Sequence, residues 1–148
     1  MTRIANRPPD IGFALATDRW TAPFWEAVAT HRLTAPRCTT CGHFRMPPTP
    51  FCPWCRAQAV DWVDLPGTGR IYSYTIVERA TLPGTEGHIP YVPAVVSLDG
   101  GCGIRLITNI VDSPIDGIAI GAPVTVVFDP VGEAIVPRFR LSEGQRRT

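Results

Sequence analysis

Hydrophobic positions change period along the chain. From Thr21 to Leu33 they recur at helical spacing: Phe24, Trp25, Val28 and Ala29 form one stripe, with Trp20 just upstream. Thr21 stands where an N-cap belongs, and Pro23 falls in the first turn, where a missing N–H costs nothing. A helix is predicted there. Residues 37–56 show no period, and Pro47, Pro48, Pro50 and Pro53 mark them as loop. From Val60 onward the chain reads as strands: Arg70 to Arg79, Tyr91 to Leu98, Gly103 to Val111, Pro123 to Phe128 and Ala134 to Phe139. Turn residues at Gly67 to Gly69, Asp99 to Gly101, Asp112 to Gly117 and Asp129 to Gly132 separate them. Connections this short favour antiparallel pairing. A sheet of that size must close or leave unpaired edges, so the strands predict a small five-stranded barrel of the OB type, with an SH3-like barrel as the rival.

The cysteines change the reading of the loop region. Cys38 and Cys41, then Cys52 and Cys55, form two C-x2-C pairs that place four thiolates around one tetrahedral ion. Gly42 after the first pair allows a tight turn beneath the metal, with N–H groups directed at sulfur; Arg56 follows the second pair and departs from that pattern. Four sulfurs fill the coordination sphere, so the expected Zn2+ is structural and leaves no position for chemistry. A redox dithiol or a pair of disulfides is the alternative. His43 beside the site is expected to have no coordination role, and Cys102 to be a bystander. The fold class is therefore mainly β: an N-terminal arm and helix over 1–36, a four-cysteine zinc ribbon over 37–59, an OB-fold barrel over 60–141 and a polar, frayed tail over 142–148.

Composition narrows the function. A length of 148 residues suits one ordinary core plus a module held by metal. A net charge of +1 argues against nucleic acid or an anionic membrane as partner, and no apolar run approaches the roughly 20 residues needed to span a bilayer. With no signal peptide visible, the chain reads as cytoplasmic. Residues 1–17 are expected to be poorly ordered or to form an arm lying on a partner. His31, His43 and His88 are scattered, paired carboxylates are missing, and Gly67-Thr-Gly69 opens a strand rather than a phosphate loop, so no catalytic set is expected.

The order of segments carries a resemblance. PFWEA at 23–27, PRCTTCGHFRMPPTPFCPWC at 36–55, GTGRIYSYTIVERA at 67–80, PYVPAVVSLDGG at 90–101 and IGAPVTVVF at 120–128 together resemble the family known as domain of unknown function thirty-five, over roughly residues 20–140. The resemblance implies a rubredoxin-like zinc ribbon joined to an OB-fold and a role in acyl-CoA metabolism. It further implies a thiolase-fold partner, such as a lipid-transfer-protein-like aldolase of steroid side-chain breakdown. That partner would hold the catalytic residues, with this chain as accessory subunit in a heterotetramer. On this reading Arg37, Arg45 and Arg70 near the ribbon–barrel junction are candidates for the phosphates of a CoA thioester, against ordinary solvated arginines. Trp20, Phe24 and Trp25 are candidates for partner docking, against a place in the core. The competing function is a single-stranded nucleic-acid module, with Tyr72, Tyr74 and Phe128 as stacking platforms.

Overall fold

The computed structural model describes residues 2–10 and 14–143. One helix, α1 (Ala22–Ala29), precedes seven strands: β1 (Leu33–Cys38), β2 (Val60–Leu65), β3 (Thr68–Tyr74), β4 (Val92–Leu98), β5 (Arg105–Ile110), β6 (Pro123–Val131) and β7 (Ala134–Leu141).

The helix is shorter than its periodicity suggests. His31 adopts a left-handed φ of 62°, its N–H donates to the Val28 carbonyl, and the Arg32 N–H reaches back to the Ala27 carbonyl. This pair of bonds is a Schellman ending, with histidine where glycine is usual. Leu33 is thereby released into β1 instead of ending the helix. Capping also differs from expectation. The Thr21 side chain makes no cap bond; Asp18 Oδ1 accepts the N–H groups of Trp20 and Thr21 at 2.9 Å each. Phe24, Ala27 and Val28 form the buried face, while Ala29 is exposed.

Strands β1 and β2 pair antiparallel, from Leu33 opposite Leu65 to Cys38 opposite Val60. The cysteine region is the connection of this hairpin, beyond the Cys38–Val60 pair. The prolines hid β1 from the sequence: Pro36 sits within it, opposite Trp62.

Strands β3 to β7 close a five-stranded barrel in the order β3-β4-β5-β7-β6, the OB arrangement. β4 shows why: Val92, Ala94, Val96 and Leu98 are buried and their neighbours are not, a period of two that one buried face requires. Gly69 permits close packing of β3 on β4, because a Cβ there would lie 2.3 Å from the Ser97 carbonyl oxygen. β3 begins at Thr68, inside the expected turn, and ends at Tyr74, five residues before Arg79. The β6–β7 hairpin turns on Gly132 and Glu133 alone, so β6 extends to Val131. One pairing contradicts the antiparallel expectation: β5 meets β7 in parallel, at Ile110 opposite Phe139.

One core runs through the molecule. Phe24 and Val28 of α1, Leu33 and Ala35 of β1, and Leu65 of β2 join Ile71, Val96, Ile110, Val124, Phe139 and Leu141 of the barrel. The N-terminal arm also belongs to the fold. Ala5 exchanges backbone hydrogen bonds with Asp112 and Ser113, the Asn6 side chain donates to the carbonyls of Ile89 and Pro90, and Arg7 pairs with Asp112 and Asp129. The expectation of a loose arm fails over residues 3–7; residue 1 and residues 11–13 lie outside the described residues. The expected fraying of the tail falls on residues 144–148, also outside them, whereas Ser142 hydrogen-bonds Thr125 of the neighbouring strand β6.

Candidate metal centre and surrounding surfaces

The two C-x2-C pairs form two equivalent knuckles. In the first, the Gly42 N–H returns to the Cys38 carbonyl at 2.9 Å; in the second, the Arg56 N–H returns to the Cys52 carbonyl at 2.8 Å. Gly42 has φ 79° and Arg56 has φ 67°, so the arginine adopts the left-handed conformation that glycine supplies in the first knuckle. The departure noted in the sequence is therefore one of residue type, and the backbone keeps the knuckle.

The four sulfur atoms lie within 4.8 Å of one another, with Cys38 and Cys55 Sγ 3.5 Å apart and Cys41 and Cys52 Sγ 3.5 Å apart. A tetrahedral zinc with bonds of about 2.3 Å spaces its sulfurs by about 3.8 Å, so the cluster fits that ion. Electrostatics agree. The Cys38 thiol is drawn down to about 6, first by the backbone N–H of Cys41. Cys52 is lowered too: burial resists, but the N–H groups of Cys55 and Trp54 prevail. Cys41 receives the N–H of His43, yet burial and the sulfurs of Cys52, Cys55 and Cys38 push it up to about 12. Thiolates this close repel one another, and a divalent cation relieves that repulsion. These four cysteines hold a structural zinc ion.

Around the cluster, Arg45 braces the ribbon. It is 3% exposed, and its guanidinium donates to the carbonyls of Ala57 and Gln58, beyond the second knuckle. His43 stacks on Trp54 with ring centroids 4.7 Å apart, and its Nδ1 lies 3.3 Å from Cys41 Sγ. Trp54 and Phe51 remain exposed at the ribbon tip. A cavity of about 500 Å³ separates this tip from the β4–β5 turn, where Cys102 is exposed.

The structure does not gather the three candidate arginines. Arg45 is buried as described, which removes it as a surface ligand for phosphate. Arg37 is exposed on β1, over the Phe44 ring, and Arg70 is exposed on β3, donating to the Gly121 carbonyl. Of the aromatic candidates, Phe24 is 4% exposed and belongs to the core, whereas Trp20 and Trp25 are half-buried. Trp25 packs edge-on against Phe24 at 5.2 Å and borders a groove of about 280 Å³ between α1 and the barrel. Tyr72, a candidate stacking platform, already faces the Arg105 guanidinium at 3.8 Å, and Phe128 stacks on His31 at 5.0 Å. Sequence reasoning missed the His43–Trp54 stack and the Arg45 brace, since neither has a spacing signature.

The three histidines are engaged structurally: His31 and His43 in ring stacks, His88 through Nδ1 near the Arg7 carbonyl. Among the described residues, none is hydrogen-bonded to a serine, and the one thiol near a histidine ring nitrogen is Cys41 of the metal cluster, beside His43. No helix among them is long and apolar enough to cross a membrane.

Comparison with known proteins matches this architecture. A family model described as the rubredoxin-like zinc ribbon domain of ChsH2 covers residues 25–61, and one described as the C-terminal OB-fold domain of ChsH2 covers residues 62–129. The chain is 40% identical over 136 residues to a probable enoyl-CoA hydratase alpha subunit of Thermomonospora curvata, covering 90% of this chain but 41% of that protein. The chain thus spans less than half of that relative's length. It is 36% identical to a DUF35 domain-containing scaffold protein of Methanothermobacter thermautotrophicus, covering 70% of this chain and 76% of the relative. Among solved structures, the one titled Ltp2-ChsH2(DUF35) aldolase superposes with a TM-score of 0.76 at 38% identity, covering 86% of this chain and 98% of that one. A DUF35 protein of unknown function from Sulfolobus solfataricus, 16% identical with a TM-score of 0.63, shares the fold. With the ribbon, the barrel and the four-cysteine centre in the same order, the chain belongs to the DUF35 family.

Proposed function

We propose that this protein is a non-catalytic accessory subunit that stabilises and completes a thiolase-fold acyl-CoA enzyme, an aldolase or thiolase of steroid or lipid side-chain breakdown in the cytoplasm. The observation that carries the reading is the match to a chain of the Ltp2-ChsH2(DUF35) aldolase, which is covered almost end to end. Relatives named as alpha subunits and scaffold proteins support a role within an assembly. The closed metal site and the engaged histidines support a chain without chemistry of its own. Trp20 and Trp25, both half-buried, are proposed as docking residues. Arg37 and Arg70, both exposed, are proposed to meet the phosphates of a CoA thioester. A symmetric dimer of the thiolase-fold partner would take one copy on each half, giving a heterotetramer.

A tagged pull-down from native extract, with co-purifying chains identified by mass spectrometry, tests this reading. A thiolase-fold protein in near-equal amount is the expected result. Recovery of the chain alone, or with nucleic acid, would overturn it.

A further inference from the structure

The barrel is closed by a single register pair on one side. β5 pairs with β4 over its whole length, from Arg105 opposite Ser97 to Ile110 opposite Val92, whereas β7 meets it only at Ile110. Ladder geometry says what that leaves. The Leu98 N–H donates to the Ile104 carbonyl, so in an antiparallel pair the alternate residues Leu106, Thr108 and Ile110 exchange hydrogen bonds with β4. Arg105 and Ile107 turn their N–H and C=O groups the other way, toward β7, and among the described residues β7 has no register partner for them.

Three further observations fall at this edge. Ile107 is 83% exposed, unusual for a β-branched residue in the middle of a strand. Asn109 Oδ1 is a buried acceptor without a hydrogen-bond partner, and Arg138, whose Nε lies 3.6 Å from Asp129 Oδ2, lies beside it. Both residues line the groove between α1 and the barrel that Trp25 and Ile107 also border. Unpaired main chain, an exposed apolar side chain and an orphaned acceptor therefore share one site.

We infer that the β5 edge at Arg105 to Ile107 is a strand-addition site, where an extended segment of the partner subunit pairs with the barrel. The occupant follows from the chemistry of the edge. Main-chain N–H and C=O groups in a row are matched by another extended backbone, and an apolar side chain of that segment would cover Ile107 and Trp25. A helix has no free main-chain groups along its length, so it would leave this edge unpaired. The inference rests on the accessory-subunit reading, because that reading supplies the partner.

Backbone hydrogen exchange on this chain, free and bound to the purified thiolase-fold enzyme that co-purifies with it, tests the site directly. The Arg105 and Ile107 amides are expected to exchange freely in the isolated chain and to slow by about tenfold or more in the complex. Ile107→Pro supplies a second measurement. It removes one outward N–H but none of the donors to β4, so the melting temperature is expected to stay near that of the native chain while partner affinity falls by about tenfold or more. Ile107→Thr keeps the N–H and is expected to bind more tightly than the proline variant. Should Ile107→Pro fail to fold, the exchange measurement on the native chain still decides. A stable complex in which both amides keep exchanging freely would overturn the strand-addition site and leave the accessory reading intact. Absence of any thiolase-fold partner would overturn the accessory reading, and protection of the same amides by a single-stranded oligonucleotide would overturn a peptide occupant.

Discussion

Ribbon and barrel are held together in different ways within one chain. In the ribbon, polar groups do most of the holding: four sulfurs, the N–H groups aimed at them and the Arg45 guanidinium on two carbonyls. In the barrel, alternating apolar side chains do it, with Ile71, Val92, Val96, Ile110, Val124, Phe139 and Leu141 almost wholly removed from water. A metal-held module depends on a few directional contacts and fails abruptly when one is lost. An apolar core depends on many small contacts and weakens by degrees.

The sharpest way to break the contrast is Cys38→Ser. Zinc content is expected to fall from one ion per chain to none, with amide dispersion lost in the ribbon while β4 and β5 keep theirs. Full zinc content and an unchanged melting temperature would sink the structural assignment. Phe139→Ala, at a side chain with 0% exposure, should cost about 3–5 kcal/mol in urea unfolding, yet the native population should still carry one zinc. Loss of zinc there would show that the barrel dictates the ribbon. A smaller effect separates the two knuckles. Arg56→Gly relieves a left-handed non-glycine residue and should stabilise by about 1 kcal/mol, whereas Gly42→Ala, with open space around its Cβ, should destabilise by a similar ~1 kcal/mol through backbone strain alone. Equal and opposite shifts in melting temperature would establish the equivalence of the knuckles. The smallest effect lies at α1. Asp18 is held below its ordinary 3.8, first by the N–H of Thr21, so its contribution is present above that value and is lost as pH falls through the lower folded value. Asp18→Ala should therefore lower the melting temperature slightly at neutral pH and match the native chain in acid; a constant difference at every pH would exclude the carboxylate as the cause.

The same division explains how much could be read in advance. The zinc ligands were legible because a C-x2-C pair is a local signal, and β4 was legible because its valine-rich run stops at the Asp99-Gly100-Gly101 turn. β1 was not, since Pro36 and its cysteine-rich continuation look like loop, and only its pairing with β2 makes it a strand. The end of α1 was hidden by His31, which does the work of glycine without the residue type that announces it. Arg45 and Phe24 show the limit for site residues: both carry groups suited to a surface role, and burial, which depends on the whole fold, gave them structural ones. The parallel closure at Ile110 and Phe139 depends on a contact between strands separated by β6, which no window along the chain contains.

The shared core has a bearing on how such a chain can be cut and recombined. The two family models meet between Asp61 and Trp62, inside β2, and the second stops at Asp129, before β7 begins. A gene divided at that first boundary would split a strand between two products. The upstream product would expose Phe24, Val28 and Leu33, and the downstream one would lack the surface that covers its end of the barrel. Shuffling of ribbons and barrels among relatives therefore calls for exchange of the whole block from α1 to β2, with the metal module carried as an insert within its hairpin.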